Sequence, residues 1–450
     1  IAGSTCPPIG LAYIASSLKK AGYEVDVIDA IGESIFQMIP VPNHSHLLAH
    51  GLSLDKIVDR VNPLTDFIGI SCMFSHGWPL TRELVKKLKA RFSNKPIIGG
   101  GEHITCLKEW ILKTCPEMDY CILGEGEEKI VELVNMLSAG KTPSNINGVL
   151  SCDTPLRPEH EGPIDFGLMK QRIRDIDSIP PPAWELFPLS SYLDNEFGFG
   201  VNRGRSMPML ATRGCPYQCT FCSSPQMWTT KWIARDPVKV VDEIENYLHL
   251  YQVENFDFCD LTTIIKKEWI VAFCKLILKR GHKFTWQLPS GTRSESIDDE
   301  VADLLFQSGC RNLSYAPESG SPEVLKRIKK MVNLNKMKAS MRSCIKNGLN
   351  VKCNIILGFP EETHFEVWQT MKFIVKTALL GIHDISIVPY SPYPGSELFN
   401  GLQRAGKISE FSDEYFWSLS TYSDMVNSVS FSKYISNRML GFYRIFGILL

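Results

Sequence analysis

Residues 213–225 read RGCPYQCTFCSSP, with Cys215, Cys219 and Cys222 at C-x3-C-x2-C spacing after a Gly–Cys–Pro turn. Thiolates select zinc or iron–sulfur clusters. Structural zinc closes its tetrahedron with a second ligand pair, and no second C-x2-C pair occurs in the chain. Ordinary four-cysteine clusters carry their fourth thiolate nearby, whereas the next cysteine is Cys259, on the following predicted strand. A cubane held by three thiolates leaves one iron open to a substrate or cofactor. An incomplete site of this kind is a reactive one.

The cysteine loop follows the first strand of a βα series. After "MLATRG", the helix marked by Val238, Val241, Ile244 and Leu248 has Asp236 as its expected N-cap and Pro237 at its first position. The strands "NFDFCD", "FTWQLPSG", "RNLSYAPESG", "VKCNIILG" and "ISIVPYSPYPG" follow, separated by amphipathic helices. About six such units suffice for a closed or partly closed barrel, whose reactive loops belong at the C-terminal ends of the strands.

A separate series fills residues 1–140. A helix with Leu11, Ile14, Ala15 and Leu18 on one face ends at Gly22, and "EVDVID" is predicted as a strand. The strands "DFIGISCMF", "KPIIGGG" and "YCILGEG" alternate with further helices. This pattern predicts a doubly wound, Rossmann-like parallel sheet, its first strand falling before Ile1. Residues 141–204 form a connector in which "IPPPAWELFP" excludes helix and inner strand. Trp184, Leu186 and Phe187 are its expected packing anchors. The barrel is expected over 205–400 and a helical and loop region over 401–450, with aromatic anchors at Phe411, Tyr415 and Trp417.

The 450 residues are 44% hydrophobic and 22% charged, ordinary values for a globular protein, and the net charge of −1 exerts no pull on nucleic acid. The 14 cysteines are dispersed, and Cys72, Cys121 and Cys353 lie within apolar strand-like runs as small core residues. A reducing, cytoplasmic setting follows. The chain opens on Ile1 and closes on the apolar "GFYRIFGILL", so both ends read as cut. That last stretch is shorter than a membrane span, and membrane association is left open.

The three-cysteine loop, with Phe221 just before its last thiol, resembles the radical S-adenosylmethionine (SAM) superfamily. The resemblance implies a [4Fe-4S] cluster on Cys215, Cys219 and Cys222, whose open iron is chelated by the amino and carboxylate groups of SAM. One electron then breaks the sulfonium C–S bond, giving methionine and a 5′-deoxyadenosyl radical that abstracts a substrate hydrogen. An external one-electron donor such as a flavodoxin or ferredoxin is implied. Five further stretches match, at barrel spacing along the chain. "APESGSPEVLKRI" resembles the family's "ESGS" box, assigning Glu318 and Ser319 to SAM. "SGTRSE" puts Arg293 at the preceding strand end. "IILGFPEET" puts Gly358 and Pro360 beside the adenine, and "PYSPYPGSELF" resembles the closing element, with Ser396 where threonine is usual. "FCDLTTIIKKEW" keeps Asp260 of the second-strand segment but has Leu261 in place of its second acid.

"CPPIGLAYIASSLKKAGYEVDVIDA", "GISCM", "GGEHIT" and "ILGEGEEKIVEL" resemble the cobalamin-binding domain that precedes the barrel in one radical SAM subfamily. The resemblance implies a corrin lying over the strand ends, with Ser71, Gly100, Gly101, Gly124, Gly126 and Glu127 as contacts. The D-x-H-x-x-G sequence of histidine-ligated cobalamin proteins is absent, as is typical of that subfamily. His103 reads as a hydrogen-bonded structural residue, and His44, His46 and His50 as a solvated loop.

With both cofactors, the resemblance implies methylation of an unreactive carbon or phosphorus centre in a small molecule of unspecified identity. The same layout supports oxidative cyclisation or rearrangement. A methylthiotransferase would need a second cluster, for which Cys6, Cys72 and Cys106 are candidates by count alone. An iron–sulfur electron-transfer protein is the non-enzyme alternative. Trp228 and Trp232 are read as packing in preference to lining a substrate pocket.

Overall fold

The computed structural model describes residues 5–42, 44–143, 146–153, 172–292, 296–408, 410–420 and 428–450. Near the N-terminus a hairpin of β1 (Met38–Val41) and β2 (His44–His50) carries the stretch expected as a histidine-rich loop. His50 is tied down there, its Nε2 lying 2.5 Å from the Ile35 carbonyl.

The first large sheet contains β3 (Ile68–Ser71), β4 (Ile97–Gly100) and β5 (Tyr120–Ile122), all parallel. Helices Ile9–Lys20 and Glu127–Ser138 cover one face, and helices Leu54–Arg60 and Trp78–Arg91 pack against each other within the other layer. Two cores result. Ile98, Ile122, Ile130 and Leu133 pack on one side; Trp78, Val85, Leu88, Ile97 and Ile104 pack on the other. Strands buried on both faces read as continuous apolar runs, hence "KPIIGGG" and "YCILGEG". The β3–β4 register pairs Ser71 with Gly100, so these two strand ends are level.

Two expectations are corrected here. "EVDVID" forms no ladder among the described residues. The connector also contributes β6 (Val149–Ser151), antiparallel to β5, so the sheet is mixed. Three residues are too few to show periodicity.

The second large sheet runs β14-β13-β12-β11-β10-β7, every pair parallel and in chain order. Its strands are β7 (Ser206–Met209), β10 (Asn255–Phe258), β11 (Thr285–Thr292), β12 (Cys310–Glu318), β13 (Asn350–Leu357) and β14 (Asp384–Pro389). β7 and β14 do not pair, which makes it a partial (β/α)6 barrel. Asp236 caps helix Pro237–Tyr251 by accepting from Val238 N at 2.8 Å. Phe256, Phe258, Trp286 and Tyr315 are buried in the barrel core, which also takes in Trp184 and Phe187 of the connector.

The C-terminal region works at two places. Helix Asn437–Leu449 packs on β14, with Arg444 fully buried and donating to the Ile387 carbonyl. Helix Asp413–Ser418 reaches the first domain, where Phe416 is fully buried against His103 and Trp110. Among the described residues no helix is long and apolar enough to cross a membrane.

Candidate active site

The cysteine loop is an excursion closed at its neck. The short strands β8 (Thr212–Arg213) and β9 (Ile233–Ala234) pair antiparallel, holding both ends of the segment between them. Gly214 is needed at this neck. Its φ is +86°, and a Cβ would stand 2.3 Å from the Lys231 carbonyl oxygen. Inside the loop Cys222 N donates to the Cys219 carbonyl. Thr220 N donates to Ile328 O at 3.0 Å and Thr220 O accepts from Leu398 N at 2.8 Å. The loop is thereby stitched to the segments after β12 and β14.

All three thiols are half-buried. Among the described residues no three His, Cys, Asp or Glu side chains stand close enough to hold a metal in this conformation. The donor chemistry is what fits: three soft thiols in one short loop. Burial pushes the Cys222 thiol up to about 12, so a cationic occupant is what would make it a thiolate ligand. Cys259 lies apart, its surroundings being Cys6, Asp257 and Asp260.

Phe221, assigned to SAM, packs beside two residues from the segments after β12 and β13. Its ring lies 5.8 Å from that of Phe359, and the Lys330 ammonium sits 5.9 Å from its centroid. Lys330 also pairs with Glu318 at 2.8 Å, both side chains being nearly buried. Glu318 has a left-handed backbone, φ +67°, an unusual conformation of the kind that clusters at functional sites. Gly358 (φ +86°) and Phe359 donate their N–H groups to the carboxylate of Glu362, which fixes the turn after β13. Burial pushes Glu362 up to about 7. Sequence reasoning missed Lys330, Phe359 and Glu362, although the last two lie within the quoted "GFPEET".

Other assigned residues make hydrogen bonds that hold the fold. Asp260 accepts from Ala211 N and Thr212 Oγ1 at 3.2 and 2.6 Å, so it braces the strand end before the cysteines. Burial raises it to about 6. Ser319 Oγ contacts Thr370 Oγ1 and accepts from Ser321 N. The Pro360 carbonyl accepts from Lys433 N. Ser396 caps helix Glu397–Arg404 through Phe399 N. Arg293 lies outside the described residues.

At the cobalamin side the six assigned residues divide. Ser71 is exposed, and Gly100 has nothing within 4 Å of where a Cβ would be. Just beyond Ser71, Met73 and Phe74 expose 42% and 61% of their surface, an apolar ledge at the end of β3 suited to a flat, mostly apolar ligand. Gly101 is a backbone necessity: φ is +114°, and a Cβ would meet the Cys72 carbonyl at 2.5 Å. Gly124, φ +68°, donates to Thr105 Oγ1, and Gly126 packs under Ile14. Glu127 is buried and paired with Arg213 at 2.6 Å, which holds its carboxyl below the usual range. His103 Nδ1 lies 2.9 Å from Ser75 Oγ, and burial holds the ring neutral, down to about 3, as expected of a structural histidine.

The arrangement juxtaposes an open strand-end ledge and a three-thiol loop at a barrel mouth. Sequence comparison matches the B12 binding domain family over residues 2–134 and the Radical SAM superfamily over residues 209–374. The chain carries a B12-binding domain followed by a radical SAM domain. Its B12-binding domain stands in front of the radical SAM barrel, as the two sheets do. An uncharacterized methyltransferase of Pyrococcus horikoshii, PH0819, is 29% identical over 399 residues, covering 89% of this chain and 79% of that protein. The cytidylyl-2-hydroxyethylphosphonate methyltransferase of Streptomyces wedmorensis is 28% identical, with 89% and 78% covered. An anaerobic magnesium-protoporphyrin IX monomethyl ester cyclase of Cereibacter sphaeroides is 26% identical, with 92% and 63% covered. Among solved structures, the radical SAM methyltransferase TsrM of Kitasatospora setae, with cobalamin and a [4Fe-4S] cluster bound, superposes with a TM-score of 0.67 at 17% identity. That superposition covers 91% of this chain and 77% of TsrM, and at such identity it speaks for the shared fold.

Proposed function

We propose that this chain is a cobalamin-dependent radical SAM methyltransferase acting on a small molecule. The observation that carries the reading is the three-thiol loop pinned at the barrel mouth beside the strand ends of a B12-binding domain. Cys215, Cys219 and Cys222 would hold the [4Fe-4S] cluster. Phe221, Phe359, Lys330, Glu318 and Gly358 would form the SAM side, where Lys330 would supply positive charge. Ser71, Gly100, Met73 and Phe74 would carry the corrin. When bound, these groups supply reductive cleavage of a sulfonium and a carrier for a methyl group.

The protein's own part is positioning and exclusion. Asp260 and the β8–β9 neck hold the loop, while the half-buried thiols and the aromatic pair Phe221–Phe359 limit water at the reacting centre. The division into residues 1–140, 141–204, 205–400 and 401–450 is part of this reading. So are a cytoplasmic setting and an external flavodoxin- or ferredoxin-like donor.

Anaerobically reconstituted protein given SAM, cobalamin and a strong reductant is expected to contain iron and sulfide, to form methionine and to add one methyl group to its substrate. Zinc in place of iron, or no SAM cleavage, overturns the reading. The second reading, an oxidative cyclase, draws on the cyclase relative matching over 429 residues. An unchanged carbon count in the product would favour it. The methylthiotransferase alternative lacks support among the described residues: Cys106 lies beside Glu102 and Cys222, Cys6 near Asp29 and Asp257, and Cys72 is buried.

A further inference from the structure

Five charged side chains meet where the first domain touches the neck of the cysteine loop: Glu125, Glu127, Lys129, Arg172 and Arg213, all buried. Glu125 lies in the turn between β5 and helix Glu127–Ser138 and grips both arginines. Its Oε1 takes Arg213 Nη1 at 3.1 Å, and its Oε2 takes Arg172 Nε at 2.7 Å and Ile173 N at 2.9 Å. Arg213 stands two residues before Cys215, its guanidinium 5.1 Å from the ring centroid of Tyr13 and 5.9 Å from that of Trp228. Arg172 Nη1 donates to the carbonyls of Trp228 and Lys231, on the far side of the cysteines. One carboxylate of the B12-binding domain thus reaches both ends of the loop. A second attachment supports it: Ser223, adjacent to Cys222, donates to Glu102 after β4.

An exposed ion pair would matter little. Here the side chains of Glu125, Arg172 and Arg213 are 1%, 2% and 5% exposed, so removing one partner strands the others in a medium of low dielectric. We propose that Glu125 is a positioning residue, which sets the place of the Cys215–Cys222 loop through Arg213 and Arg172 and so ties it to the B12-binding domain. The inference rests on the reading that this loop holds an iron–sulfur cluster. Two consequences follow. Displacing the loop changes the cluster's surroundings, and removing the carboxylate charge leaves excess positive charge beside it, which favours the reduced form.

The test compares anaerobically purified holoenzymes by iron and sulfide content, EPR of the reduced cluster, redox titration, and KM for SAM against kcat for methionine release. Glu125→Gln keeps shape and removes charge. It is expected to bind iron and sulfide as the wild type does, with a changed EPR line shape and a less negative midpoint potential. Its kcat should fall by about tenfold, more than any change in KM. Glu125→Asp restores the charge and is expected to bring the potential back toward wild type. A Glu125→Gln enzyme with wild-type EPR, potential and kcat overturns the proposal. So does a rate loss that merely tracks lost iron. Should Glu125→Gln fail to fold, Arg213→Lys, which keeps the charge but loses the fork, replaces it, and an unchanged EPR line shape overturns the proposal. Wild-type protein without iron and sulfide defeats the functional reading itself; an intact wild-type cluster with an indifferent variant defeats this inference alone.

Discussion

On the proposed function, the cysteine loop and the strand ends of the B12-binding domain would each hold a cofactor, by opposite means. The loop concentrates its donors in one segment and immobilises it with a two-strand neck, Gly214 and the bonds of Thr220. The strand-end ledge contributes open backbone and exposed apolar side chains from separate turns: Ser71, Met73 and Phe74 after β3, and Gly100 at the end of β4. A cluster needs covalent ligands at fixed spacing, whereas a large corrin needs area and close backbone approach. One site should therefore fail abruptly on a single substitution and the other gradually.

The sharpest break is Cys219→Ala. It is expected to abolish iron and sulfide binding and reduce methionine formation to the buffer background, and retained turnover would contradict the ligand assignment. Arg213→Ala comes next. It leaves Glu125 and Glu127 short of a buried partner, an effect of about 3–5 kcal/mol, read as a large fall in melting temperature; little change would mean the brace is dispensable.

Glu362 gives a pH test. Its folded value, raised from 4.5 to about 7, lies above that of the unfolded chain. Between those values the folded state keeps a proton that the unfolded chain releases, so this residue's contribution is full below 4.5 and is lost as pH rises toward 7. Glu362→Gln is expected to match the wild type near pH 4.5 and exceed it above pH 7 by up to about 3 kcal/mol. Equal melting temperatures across that range would refute the assignment.

Two adjacent glycines then sharpen the contrast. Gly101→Ala forces a Cβ against the Cys72 carbonyl at a positive φ and is expected to cost about 1–3 kcal/mol. Gly100→Ala meets open space, so its melting temperature should stay within about 0.5 kcal/mol of wild type, while cobalamin titration by absorbance shows weakened binding. Unchanged cobalamin affinity in Gly100→Ala would remove Gly100 from the site.

Legibility differed in the same way. The Asp236 cap, the buried Cys72, Cys121 and Cys353, and the six barrel strands all follow from signals a few residues long. The hairpin of β1 and β2 was missed because its histidines suggested a solvated loop. β6 was missed because three residues carry no period. Glu127 carries a different signal in the structure from the one its strand-end position suggested, since its partner Arg213 is 86 positions away. Asp260 likewise holds the backbone of the preceding strand end, at Ala211 and Thr212.

By itself the chain's sequence determined two βα series, the order of their domains and a thiol triad short of a fourth ligand. Those features rest on periodicity, turn chemistry and spacing, which act over a turn or a strand. Tertiary structure alone decided which acids meet the neighbours of the three cysteines: that Glu125 spans Arg213 and Arg172, and that Glu102 reaches Ser223. Such pairs form only when segments far apart in the chain dock, and burial then makes each charge depend on the residue brought opposite it.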